Sequence, residues 1–145
     1  MRVALVVSTY HSFVTSQLEM GARAVLAEAG LVAADIETYQ VPGAFELAQA
    51  ASVVAETSRW DAVVCLGCLI RGETPHFQII ADAAADGIMR AAQATGVPMA
   101  FGVLTTHTAE EALARAGAGD GNKGREAAKA ALEMAALYGR VRARE

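Results

Sequence analysis

His76 has the neighbours that a proton-transfer site would need. It follows Gly72, Glu73, Thr74 and Pro75, just after the apolar run Asp61–Leu66. An apolar run leading into Thr-Pro reads as a buried strand handing over to a helix. At such a turn, free backbone N–H groups and the helix dipole favour an anion. Gly72 lets the backbone come close, Thr74 adds a hydroxyl and Glu73 a carboxylate. A histidine in the first turn can pass protons near neutral pH. The plainer reading makes Thr74 a helix cap and His76 a surface residue.

A second turn of the same kind is Pro42, Gly43, Ala44, Phe45 and Glu46. Its N–H groups and the Glu46 carboxylate suit a polyhydroxylated chain or an NH-bearing ring. The plainer reading is a tight turn with Phe45 in the core and Glu46 at a helix start. Tyr10 could stack on a planar ligand, although a lone aromatic at a strand end more often packs. His11 and His107 have no partners at metal-ligand spacing and read as exposed loop residues. Phe101 reads as core. Arg115 and Lys123 could hold phosphate, and solvated charges are the commoner case. Cys65 and Cys68 form a C-x-x-C without a second pair and read as small core hydrophobes.

The elements that must position these groups alternate. Strands are expected at Val3–Val7, Asp35–Val41, Asp61–Leu66 and Val97–Leu104. Helices are expected at Thr15–Ala29, Phe45–Glu56, Pro75–Thr95, Ala109–Ala116 and Arg125–Tyr138. Gly117–Gly124 reads as a flexible joint. Strands separated by helices imply parallel crossovers and an α/β domain, a four-stranded parallel sheet with helices on both faces. Ligands bind such sheets outside the carboxyl ends of the strands. That rim carries Tyr10, Pro42–Glu46, Gly67–His76 and Thr105–His107. The opposite rim carries ordinary polar turns.

The chain has 145 residues, which suits one domain spanning residues 1–145. With 54% hydrophobic and 19% charged residues it reads as globular rather than disordered. A net charge of -4 without a basic stripe argues against nucleic acid as a partner. No apolar run approaches the ~20 residues of a membrane span. Thr9–Ser12 offers no small-residue cleavage site, so the apolar start reads as a strand rather than a signal peptide. A cytoplasmic enzyme or binding domain is the expectation.

Taken together the motifs resemble one family. Val41–Glu46, Gly67–Phe77, Phe101–Thr106, Arg115–Gly117 and Gly121–Gly124 lie in the order seen in the lumazine synthases, and the resemblance covers nearly the whole chain. It implies a three-layer flavodoxin-like sandwich. It also implies the penultimate step of riboflavin biosynthesis. There 5-amino-6-(D-ribitylamino)uracil condenses with 3,4-dihydroxy-2-butanone 4-phosphate to give 6,7-dimethyl-8-ribityllumazine, phosphate and water. No metal or organic cofactor is implied. By resemblance Tyr10 stacks on the pyrimidine, and Ala44, Phe45 and Glu46 hold the ribityl chain and ring. Cys68, Leu69 and Ile70 bind the uracil edge through their backbone. Glu73 and Thr74 surround the phosphate, and His76 transfers protons. Phe101 reaches into a neighbour's site, which displaces the core reading, and Arg115 binds phosphate there with Lys123 nearby.

The chain departs from the family at Thr9, Tyr10 and His11, where Arg-Phe-Asn is common. Gln78 replaces a usual Asp, and Ala83 a common Glu. The sequence also begins at the first core strand, without the earlier strand of many relatives. The family builds homo-oligomers from pentamers, some closed into icosahedral shells. The short joint after Arg115 favours a shell, the missing first strand argues the other way, and a shell would leave room for riboflavin synthase inside. A flavodoxin-like carrier or a receiver domain fits less well, because Ser8–His11 is neither a phosphate loop nor an acidic cluster. A storage protein or an inert cage is separated from the synthase by turnover.

Overall fold

The computed structural model describes residues 1–144. Four strands, β1 (Val3–Ser8), β2 (Ile36–Val41), β3 (Ala62–Ile70) and β4 (Met99–Thr106), form one sheet in the order β2-β1-β3-β4. All three pairings are parallel. Five α-helices accompany them: α1 (Ser12–Glu28), α2 (Leu47–Glu56), α3 (His76–Thr95), α4 (Ala109–Ala114) and α5 (Lys123–Ala143). Short 3-10 turns at Ala33–Asp35 and Ala44–Glu46 lead into β2 and α2. The expected α/β sandwich is what the chain adopts.

The two faces of the sheet carry separate cores because strand side chains alternate. Leu5, Val7, Val64 and Leu66 face α1, α4 and α5, meeting Leu18, Leu26, Ala112 and Ala128. Ala4, Val6, Val63 and Cys65 face α2 and α3, meeting Leu47, Ala51 and Ile88. Leu5, Leu18, Leu26, Leu47 and Leu66 are fully buried. Each such leucine contributes roughly 1.5–3 kcal/mol relative to an exposed one.

Several boundaries move from the sequence reading. β3 runs to Ile70, four residues past the expected Leu66, because its last residues pair with β4 alone. α1 begins at Ser12, where Thr15 was expected. The Gly117–Gly124 joint is shorter and tighter than expected. Asn122 caps α5, so Lys123 and Gly124 belong to that helix. Thr74 does not cap α3. The helix is capped at Pro75, whose fixed φ suits a helix start and whose carbonyl accepts from Gln78 (3.1 Å) and Ile79 (3.3 Å). No side-chain hydrogen bond caps the helix start.

Candidate active site

The exits of β1, β2 and β3 and the start of α3 enclose one cleft of ≈ 550 Å³. The exit loops are stitched together. Thr9 N–H donates to the Val41 carbonyl (2.8 Å) and Tyr10 N–H to that of Pro42 (3.1 Å). This continues the β1/β2 pairing past both strand ends and carries Tyr10 over the second turn. The Thr15 hydroxyl donates to the Ser8 carbonyl at 2.7 Å, tying α1 to the same loop.

The second turn supplies Gly43, Ala44, Phe45 and Glu46 to the cleft wall. Phe45 is 52% exposed rather than in the core. The 3-10 turn turns its ring outward while Leu47 takes the buried place. Gly43 has no side chain, and the Glu46 carboxylate fills the space. A Cβ there would sit 3.2 Å from Glu46 Oε1. Gly67 serves the floor in the same way. Its missing Cβ leaves room for Leu47, Ser8 and Ala44, all within 3.6 Å of that position.

From β3 come Cys68, Leu69 and Ile70. The β1/β3 pairing stops at Val7–Leu66, whereas β3/β4 pairing continues to Ile70–Thr106. Over Gly67–Ile70 the β1-facing backbone edge of β3 therefore has no strand partner. Those amides are free to read the edge of a planar, NH-bearing ligand. The Cys68 thiol is not a nucleophile. Burial pushes it up to about 11 and the Cys65 thiol up to about 12, so both stay protonated.

Gly72, Thr74, His76, Phe77 and Ile80 complete the wall. At the α3 start the N–H groups of His76 and Phe77 precede the first intrahelical bonds, which begin with Gln78. An anion set there meets free donors and a helix dipole. His76 is exposed beside them.

Nine of the expected residues thus line one cleft: Tyr10, Ala44, Phe45, Glu46, Cys68, Leu69, Ile70, Thr74 and His76. Four do not. Glu73 is exposed on the turn without lining the cleft. Phe101 lies on the edge strand β4 and is 38% exposed, which corrects the core reading. Arg115 is exposed at the end of α4, and its carbonyl accepts the Lys123 N–H at 2.8 Å. Lys123 pairs with Glu126 at 3.2 Å. Among the residues lining the cleft there is no lysine or arginine.

The sequence reading missed His11, Phe77 and Ile80. His11 lines the cleft and is half-buried rather than an exposed loop residue, and desolvation lowers its pKa. Phe77 and Ile80 sit one and four residues after His76 on α3. The i, i+4 spacing of His76 and Ile80 was the available signal. Among the described residues no three His, Cys, Asp or Glu side chains gather as a metal site requires. No described helix is long and apolar enough to cross a membrane.

The family model described as 6,7-dimethyl-8-ribityllumazine synthase matches residues 1–139. A relative of that name from Syntrophus aciditrophicus is 46% identical over 141 residues, covering 97% of this chain and 92% of its own. Another of that name, from Chlorobium phaeovibrioides, is 50% identical over 137 residues, covering 94% and 88%. With the match running through every element that builds the cleft, this chain belongs to the 6,7-dimethyl-8-ribityllumazine synthase family.

Proposed function

We propose that the cleft condenses 5-amino-6-(D-ribitylamino)uracil with 3,4-dihydroxy-2-butanone 4-phosphate to give 6,7-dimethyl-8-ribityllumazine, phosphate and water. The observation that carries this reading is the union of three recognition features in one cleft. They are an exposed aromatic, an unpaired strand edge and a helix start bearing a histidine. Tyr10 stacks on the pyrimidine, and the backbone of Cys68, Leu69 and Ile70 reads its edge. Ala44, Phe45 and Glu46 hold the ribityl chain. Thr74, with Glu73 behind it, and the N–H groups of His76 and Phe77 receive the phosphate end. The amine and ketone condense to an imine with loss of water. Elimination of phosphate then leaves an enol that tautomerises to a ketone, and the second amine attacks that carbonyl and closes the ring with loss of a second water. His76 moves protons between these steps. Both substrates react without a catalyst, so orientation and proton handling are the enzyme's main contributions.

A phosphate-binding cleft without a cation of its own is incomplete. That absence supports a homo-oligomer in which a neighbour's Arg115, with Lys123 nearby, and Phe101 complete each site. Phe101 and Arg115 both stand exposed on the surface. We take the assembly as pentamers closed into an icosahedral shell, residues 1–145 as one domain, the cytoplasm as its location and riboflavin synthase as a partner of the shell. Light scattering of the purified protein tests the shell, and free pentamers alone would reject it.

The reaction itself is tested by steady-state kinetics with both substrates, following lumazine formation. A saturable rate above the uncatalysed background is expected. A rate equal to background, with the uracil still bound, would make the protein a carrier.

A further inference from the structure

We infer that His11 is a positioning residue for the pyrimidine platform: its ring, packed between Tyr10 and Phe13 at the mouth of the cleft, holds Tyr10 in its stacking pose. The inference rests on the reading of Tyr10 as that platform. Tyr10 is 66% exposed and cannot be held by burial. A mobile two-torsion side chain must lose its freedom when a ligand stacks on it. Something that fixes it beforehand reduces that cost. His11 is placed to do so. Its ring meets Tyr10 edge to face, with centroids 4.5 Å apart and planes at 85°. The same ring meets Phe13 at 5.8 Å and 90°. Three rings in a row thus anchor the outermost one to α1.

The backbone is shaped for this contact. His11 adopts φ 59, ψ 46, left-handed geometry that a side-chain-bearing residue seldom takes. Its carbonyl accepts the N–H groups of Val14 (2.9 Å) and Thr15 (3.1 Å), so the strained residue is fixed to the first turn of α1. Tyr10 is fixed on its other side by its N–H bond to Pro42. The backbone of both residues is therefore set, and their rings meet across one peptide. Partial burial holds the His11 pKa below its ordinary value, which favours the uncharged ring as a packing partner.

The test measures binding of 5-amino-6-(D-ribitylamino)uracil by calorimetry, without the second substrate. His11→Asn removes the ring and keeps a residue that tolerates the left-handed geometry. It should weaken binding about 3- to 10-fold, the range of one aromatic pair. His11→Phe keeps the ring and should restore binding to within about 2-fold. In a Tyr10→Ala background His11→Asn should add nothing, because the platform it holds is gone. The KM for the butanone phosphate should not move in His11→Asn. Unchanged uracil affinity in His11→Asn would overturn the inference. So would a loss in His11→Phe as large as in His11→Asn, or a full additive loss on top of Tyr10→Ala. If His11→Phe does not fold, the double-variant comparison still decides. A wild-type chain that binds the uracil but forms no lumazine would remove the reading of turnover and leave this test standing.

Discussion

On one face of the sheet α1 and α5 touch almost backbone to backbone. A Cβ at Gly124 would overlap the Leu18 carbonyl, and one at Gly21 would overlap the Asn122 side chain. Asn122 is 3% exposed and fully used there. Its Nδ2 donates to the carbonyls of Gln17 (3.2 Å), Ala116 (2.9 Å) and Gly117 (3.1 Å), and its Oδ1 accepts from Arg125 N–H (3.0 Å). On the other face α2 and α3 also approach closely, where a Cβ at Gly87 would overlap Ala48, but beyond that contact, at the strand exits, Phe45 and Tyr10 stand in the open. On the closed face Asn122 satisfies its polar neighbours, and Arg125 Nε alone is left without a hydrogen-bond partner among the described buried side-chain atoms of that junction. On the open face polar groups are left for a ligand: the β3 edge, the α3 N–H groups and His76. The same sheet supports both because rigidity on one side can hold the loops of the other at fixed spacing.

That contrast can be broken most strongly at Asn122. Asn122→Ala leaves three carbonyls and one N–H at the α1–α5 junction without their partner, and should cost about 3–5 kcal/mol in urea unfolding. A loss below about 1 kcal/mol would mean that water replaces the side chain and the face is not closed.

His76→Ala on the open face should do the reverse. Stability should stay within about 0.5 kcal/mol while kcat falls about 10²-fold, the low end for an acid–base group beside reactive substrates. An unchanged kcat would end the assignment of proton transfer to His76.

Arg115→Ala should raise the KM for the butanone phosphate about 20-fold, the worth of one hydrogen bond to a charged group, and leave uracil affinity alone. Equal losses for both substrates would point to a disturbed assembly instead.

The smallest effect concerns the thiols, which lie inside both faces. Burial raises Cys65 from its ordinary value of 9.0 to about 12, and Cys68 from 9.0 to about 11. The unfolded chain therefore releases these protons first. Their burial does not count against stability below about pH 9 and does so increasingly as pH rises above it. At pH 8 neither thiol should react with a thiol-specific disulfide reagent until the chain is unfolded. Rapid reaction of Cys68 in the native protein would show that the cleft floor opens.

The closed face was legible in the sequence as pattern and not as detail. Helical spacing of Leu18, Ala22, Val25 and Leu26 marks α1, and β-branched runs mark the strands. Gly124 looked like part of a loose joint because glycine also serves close backbone approach, and one sequence cannot separate the two uses. The open face was legible where residue type carries chemistry. His76, Thr74, Glu46 and Tyr10 reach one cleft as strand-exit reasoning expected. It was illegible where role depends on exposure. Phe45 and Phe101 are apolar residues that this fold leaves at its surface, and propensity alone puts them inside. His11 was passed over because its value lies in an unusual backbone angle and two ring neighbours, neither of which spacing reveals.

If a neighbouring chain's Arg115 completes the cleft, which has no lysine or arginine in its own lining, two different variants should complement each other. Mixing His76→Ala and Arg115→Ala subunits, unfolding them together and reassembling them tests it directly. Each variant alone should be slow at low butanone phosphate. Random reassembly should place an intact cleft beside an intact Arg115 in about a quarter of sites. Recovery to roughly that share of wild-type activity is the predicted result. Activity no greater than the mean of the two variants would place the whole site within one chain.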